Sequence, residues 1–269
     1  VQSINALDDF KVFHSALHPY AASADSSRNE RKTIVIMGAG LIGCEFANDL
    51  VHAGHTVHVA DPSARPLAAL LPAAAGEQLA QALGALGVQW HFGATVQAVD
   101  TADTRLTVTL SDGSVVVADA VLSAIGLRAD TRLAAAAGIA CERGIVVDAR
   151  LQSSASGVYA LGDCAQYASA SQRTLPYVMP TMHAAKALAA TLAGTPTEVV
   201  FPLMPVSIKT PALPIVVAAA HPAQQGEWVA DAQEDGVWRF IDTDGAQRGF
   251  VLTGRHTARR MELAKTTLG

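Results

Sequence analysis

The chain has little cysteine. Its three cysteines, Cys44, Cys141 and Cys164, lie far apart and form no C-x-x-C pair. That spacing excludes a zinc-ribbon arrangement, and no other metal-ligand spacing is present. Dispersed single thiols of this kind fit a reducing, cytoplasmic setting. No apolar run reaches membrane-spanning length, and no signal peptide is visible. Neither charge dominates: 19 Lys and Arg against 24 Asp and Glu leave a net charge of -5. That balance speaks against nucleic acid as a partner. What the chain does have is apolar residues, 50% of its 269 positions. This is enough to bury a sizeable core in one large or two modest domains.

One stretch organises the rest. Thr33 to Ala47 reads as a buried strand, Ile34 to Met37, then a tight turn, then a helix. The turn carries Gly38, Gly40 and Gly43 in the spacing G-x-G-x-x-G, with Leu41 and Ile42 inside it. Gly38 permits the sharp turn. Gly40 has no Cβ, so a pyrophosphate can approach the backbone. Gly43 lets the helix pack closely on the strand. The helix N-terminus then offers free N–H groups and partial positive charge to phosphates. A second apolar strand, Thr56 to Asp61, ends in an acid. An acid there accepts hydrogen bonds from an adenosine ribose and repels a 2′-phosphate, which favours NAD over NADP. The other reading of Asp61 is a strand-end turn residue before Pro62. Arg65, four residues on, weighs towards the phosphate.

Further signals place the remaining elements. Val1-Gln-Ser-Ile-Asn5 reads as the tail of a preceding segment, Asp8 to Leu17 as a short helix, and His18 to Lys32, with Pro19, as a linker. Pro62 to Pro72 is a loop with a short helix at Leu67 to Leu71. A helix over Ala75 to Leu86, stopped by Gly87, leads to a strand over Val88 to Phe92. This completes a β-α-β-α-β unit, which calls for a parallel sheet. Ala94 to Asp100, Leu106 to Ser111 and Val115 to Ala118 read as an antiparallel meander turning at Asp112-Gly113. A buried strand follows over Asp119 to Ile125. Then come a helix at Thr131 to Ala137, where alanine is the best helix former, and a short strand at Gly144 to Val147. A buried strand at Gly157 to Leu161 and a helix at Pro180 to Leu192 follow. A proline-rich run, Pro196 to Pro222, opens a small antiparallel sheet with a turn at Asp244-Gly245. The chain closes on a helix near Ala258 to Leu263.

Three motifs together, Gly38-Ala-Gly-Leu-Ile-Gly-Cys-Glu45, Leu122-Ser-Ala-Ile-Gly-Leu-Arg128 and Val158-Tyr-Ala-Leu-Gly-Asp163, resemble the pyridine nucleotide-disulfide oxidoreductases. These are flavoproteins with two dinucleotide-binding folds. The resemblance runs over nearly the whole chain. It implies an α/β fold in four parts. Residues 1–28 are a linker, 29–122 a Rossmann-like NAD-binding domain with the meander, 123–195 the second part of an FAD-binding Rossmann-like domain, and 196–269 a small C-terminal α+β domain. The family's first glycine fingerprint, which holds the ADP half of FAD, has no counterpart here. The resemblance therefore implies that the sequence begins inside a longer reductase.

It also implies FAD and NAD as cofactors and a set of site residues. Gly162 and Asp163 resemble the motif that binds FAD; an ordinary Asx turn is the other reading. Glu45 would face the contact between flavin and nicotinamide, or simply compensate the helix dipole. Ile125 and Gly126 resemble a strand end near NAD, or are a strand followed by a turn. Val178 and Lys209 are placed at the flavin by resemblance alone; a surface lysine is the bland reading of the latter. No C-terminal His–Glu pair of the disulfide-reducing members is present, which argues for one-electron transfer and for no catalytic side chain of that type. The implied activity is NADH-dependent reduction of a small electron-transfer protein of rubredoxin or ferredoxin type. Reductase components for nitric oxide or nitrite reduction, or a nucleotide-binding module without turnover, are the alternatives.

Overall fold

The computed structural model describes residues 1–17, 30–102 and 104–267. Most of the linker expected from His18 to Lys32 therefore lies outside the described residues. Two compact units form: residues 1–126 with 205–269, and residues 127–204.

The first unit starts with β1 (Gln2–Ser3) and α1 (Leu7–Leu17). The Asp9 carboxylate caps α1 by accepting the backbone N–H groups of Asn5 and Ala6, both at 3.0 Å. Then come β2 (Thr33–Met37), α2 (Leu41–His52), β3 (Thr56–Asp61), α3 (Ala73–Ala85) and β4 (Gln89–Phe92). The meander is β5 (Val96–Ala102), β6 (Arg105–Leu110) and β7 (Val115–Ala118), and β8 (Ala120–Ser123) returns to the first sheet. That sheet is wholly parallel, in the order β1-β8-β2-β3-β4. The meander strands pair antiparallel.

Alternation along the strands decides which layer each side chain joins. Ile34, Ile36, Val57 and Val59 point to one face, where they pack with Leu79 and Leu83 of α3. Val35 and Ala60 point to the other, against Val108, Leu110 and Val116 of the meander. Ile34 and Ile36 are fully buried, a burial worth about 2–3 kcal/mol each.

The second unit holds α4 (Arg132–Ala136), β9 (Ile145–Val147), β10 (Ala165–Tyr167), β11 (Arg173–Thr174) and α5 (Val178–Leu192). Its core gathers Val147, Leu151, Tyr167 and Ala184. The chain then rejoins the first unit as β12 (Val206–Ile208), β13 (Ile215–Ala218), β14 (Gly226–Ala230), β15 (Val237–Asp242), β16 (Gln247–Thr253) and α6 (Arg260–Thr266). The strands form an antiparallel sheet ordered β12-β13-β16-β15-β14. Ile208, Ile215, Val217, Trp238 and Val251 from this sheet share the core of the dinucleotide-type fold.

Several local expectations need correction. Gly157 to Leu161 is not a strand: a single bridge joins Tyr159 to Gln152. Gly157, at φ +76°, lies in the connecting turn, and Gly162, at φ +81°, turns the chain again just past Leu161. Leu67 to Leu71 forms hydrogen-bonded turns, because Leu67 sits at φ +54°, outside helical space. The proline-rich run contains β12 and β13, with Pro205, Pro211 and Pro214 standing at their borders rather than in their ladders. Gln2 and Ser3, read as a tail, are an edge strand on β8. Among the described residues no helix is long and apolar enough to cross a membrane.

Candidate functional site

The three glycines each meet a different physical demand. Gly38 lies at φ +100°, and a Cβ there would come within 2.7 Å of the Ala124 carbonyl oxygen. Gly43 is packed harder still, since its Cβ would sit 2.0 Å from the Gly38 carbonyl oxygen. Gly40 is the opposite case. It precedes α2 with ordinary extended dihedrals, φ -73° and ψ -171°, and a Cβ would meet nothing within 4 Å. The protein itself does not need glycine at position 40; a ligand lying against the backbone would. The first-turn N–H groups around Leu41, Ile42 and Gly43 have no helical carbonyl to bind, and Gly40 offers no side chain to cap them. A close-packed turn, an open backbone shoulder and a helix N-terminus together fit a dinucleotide pyrophosphate.

Asp61 closes the other side of the turn. Its Oδ2 accepts the Ala39 N–H at 2.7 Å, and its Oδ1 accepts the Ser63 N–H at 2.7 Å. A carboxylate has about four acceptor positions, so each oxygen keeps one for a ribose hydroxyl. The same bonds hold the acid against the glycine turn. Behind it lies Cys44, fully buried, with its thiol donating to the Ala39 carbonyl at 3.4 Å. Burial, and then the nearby carboxylates of Asp61 and Glu45, push this thiol up to about 12. It is a core residue and no nucleophile. Arg65 lays its aliphatic stem against Gly76 of α3, and its buried Nε has no hydrogen-bond partner among the described residues. Ala124, Ile125 and Gly126 run past the turn. Ile125 is 71% exposed, and Gly126 sits at φ +108°.

Glu45 and Lys209, separately named from the sequence, come together. Glu45 Oε1 accepts the backbone N–H of Lys209 at 2.8 Å. One helical turn further on, Asn48 Oδ1 accepts the N–H of Ala212 at 3.1 Å. Asn48 is 2% exposed and was invisible as a site residue in the sequence, because its partner lies 164 positions away. Thr210, also buried, closes the loop by donating to the Leu213 carbonyl at 2.7 Å. The helix that starts at the glycine turn thus carries the 206–213 segment on its flank.

Within the second unit, Gly162 and Asp163 open a short 3-10 turn, with Gly162 at φ +81°. The buried Tyr167 hydroxyl clamps Gly162, accepting its N–H at 2.7 Å and donating to its carbonyl at 3.2 Å. Burial pushes the Tyr167 phenol up. No local pattern marked Tyr167 in advance. Asp163 points to solvent as an exposed acceptor. Gly162 faces Thr181 in the first turns of α5, and Val178 is the first residue of that helix, 77% exposed. Gly162, Asp163 and Val178 are thereby neighbours at one end of the unit. A carboxylate acceptor beside an uncapped helix start suits a ligand carrying both hydroxyls and phosphates.

Residues 2–189 match the family described as Pyridine nucleotide-disulphide oxidoreductase. The chain belongs to that family. Residues 198–267 match the Rubredoxin binding C-terminal domain. The rubredoxin-NAD(+) reductase of Alcanivorax borkumensis is 45% identical over 267 residues, covering 98% of this chain and 66% of the relative. That of Acinetobacter baylyi is 42% identical over 264 residues, covering 97% and 66%. A ferredoxin reductase from Rhodopseudomonas palustris shares the fold, with a TM-score of 0.83 at 22% identity over 100% of this chain and 66% of that structure. The chain thus spans 66% of the length of each of these two curated relatives.

Proposed function

We propose that this family member is an NADH-dependent FAD flavoprotein reductase that passes electrons from NADH via FAD to a small redox protein of rubredoxin type. The observation that carries the reading is Gly40: its backbone shoulder is open, the neighbouring glycines are locked by packing, and Asp61 stands opposite with acceptor positions to spare. The match of residues 198–267 and the relatives' names supply the acceptor class.

In this reading Gly38, Gly40, Leu41, Ile42 and Gly43 hold the pyrophosphate. Asp61 binds the adenosine ribose and repels a 2′-phosphate, while Arg65 lies beside the adenosine. Ile125 and Gly126 line the nicotinamide side. FAD-binding roles are assigned to Gly162, Asp163 and Val178 within the second unit and, separately, to Lys209 within the first, where Glu45 orients the nicotinamide end. FAD, when bound, supplies hydride acceptance and single-electron release. The side chains themselves orient the dinucleotide and set the local charge, and no proton shuttle is required of them. The four-part division at residues 28, 122 and 195 belongs to the same proposal, as does a cytoplasmic setting.

The test is acceptor reduction. With FAD bound, NADH should bleach oxidised rubredoxin in turnover, and NADPH should do so far more slowly. Absence of any NADH-dependent reduction by the FAD-loaded protein would refute the assignment.

A further inference from the structure

His58 of β3 and His91 of β4 meet across the strands, with Nδ1 of one 3.0 Å from Nε2 of the other. Their ring centroids are 5.3 Å apart and the planes differ by 22°. The centroid separation exceeds the nitrogen separation by about one ring width, so the rings meet edge to edge and nearly coplanar. That is the geometry of a linear N–H···N hydrogen bond, in which one ring must donate and the other accept. The pair can therefore hold its bond when neutral, and when one ring carries an extra proton. A second added proton turns both facing nitrogens into donors and destroys the bond.

The place of the pair gives this chemistry a consequence. β4 is an edge strand of the parallel sheet, joined within it only to β3. Ala60 lies opposite His91 and Asp61 opposite Phe92. Just beyond, the Gly93 N–H donates to the Ser63 carbonyl at 3.1 Å, and the Ser63 N–H donates to Asp61 at 2.7 Å. The strand end that presents Asp61 is thus bracketed by the imidazole pair on one side and by the Gly93–Ser63 bond on the other. His91 acts on His58 across the pair, and Asp112 in the β6–β7 turn feels His91. Burial, then the neighbouring ring, holds His58 below the usual imidazole range, so it resists taking the second charge.

We propose that His58 and His91 form a proton-sharing clasp between β3 and β4, and that its double protonation in acid releases the dinucleotide by loosening the strand end that carries Asp61. The consequence for the dinucleotide rests on the function proposed above; the clasp itself does not.

Two measurements test it. Imidazole 15N–1H NMR across about pH 8 to 5 should show coupled titration of His58 and His91, with a bridging proton at neutral pH. NADH affinity, measured by calorimetry, should fall towards about tenfold as the pH is lowered from about 7.5 to about 4.5, the limiting factor for a one-unit difference between clasped and open states. His91→Gln and His58→Gln break the imidazole pair at every pH, so each should lower the neutral-pH affinity towards the acid value and flatten the pH dependence. The clasp is overturned if the two rings titrate independently at ordinary values. The release is overturned if both variants, shown folded by circular dichroism, keep the full acid dependence. No NADH binding at any pH would refute the dinucleotide reading and the release with it, while the NMR would still decide the clasp.

Discussion

Replacing Gly40 and Gly43 one at a time should separate binding from folding. At Gly40 the dihedrals suit any residue and no atom lies within 4 Å of the added Cβ. Gly40→Val therefore leaves packing intact. Losing a tolerable N-cap costs up to about 1 kcal/mol, and a stiffer unfolded chain returns about 0.4–1 kcal/mol, so stability should change by less than about 1 kcal/mol. The new side chain occupies the shoulder that a pyrophosphate would use. NADH affinity should fall at least about 100-fold, roughly 2.7 kcal/mol. Gly43→Ala is the reverse experiment. Its Cβ would stand 2.0 Å from the Gly38 carbonyl oxygen, with the Gly38 carbonyl carbon at 3.1 Å. Relief requires α2 to move about an ångström off β2, and overpacking of that kind costs about 3 kcal/mol. Thermal melts by circular dichroism and calorimetric NADH titration read both variants. A Gly40→Val protein that binds NADH normally would show that the open shoulder is not a ligand site. A Gly43→Ala protein that melts like the parent would show that the close packing is not what requires glycine there.

Other outcomes follow from the same contacts. The unmodified protein should bind NADH about tenfold more tightly than NADPH, about 1.4 kcal/mol. Asp61→Ala should narrow that gap, and equal binding of both nucleotides to the unmodified protein would point to Arg65 as the stronger determinant. Asn48→Ala removes the acceptor of the part-buried bond from the Ala212 N–H, at a cost of about 0.5–1.5 kcal/mol. It should lower the melting temperature by a few degrees, and an unchanged melt would mean that the 206–213 segment is held by apolar packing alone.

How much of this was legible in the sequence depended on the range of the interaction. The strand, glycine turn and helix from Thr33 to His52 are specified by neighbours within a few positions. Apolar alternation picks out the strand, and glycine spacing marks where no Cβ is tolerated. Asp61 was found for the same reason, as the polar end of an apolar strand. The meander, too, followed from alternation and the Asp112-Gly113 turn. Gly157 to Leu161 looked like a strand because its composition is apolar, yet a strand is made by its partner, and only Gln152 bridges to it.

What tertiary structure alone decided is which distant residues meet. Periodicity carries no information about partners more than a turn or a hairpin away. So nothing local announced that Glu45 and Asn48 would bind backbone amides 164 positions on, or that residues 205–269 would fold into one unit with residues 1–126. The pairing of His58 with His91 needed the register of β3 on β4, which places Ala60 opposite His91. A shift of one residue would have turned the two imidazoles to opposite faces of the sheet. The sequence by itself determined a turn fit for a dinucleotide and the acid beside it. The packing of the sheet determined what that acid is fastened to, since strand order and register are set by contacts that only the folded chain makes.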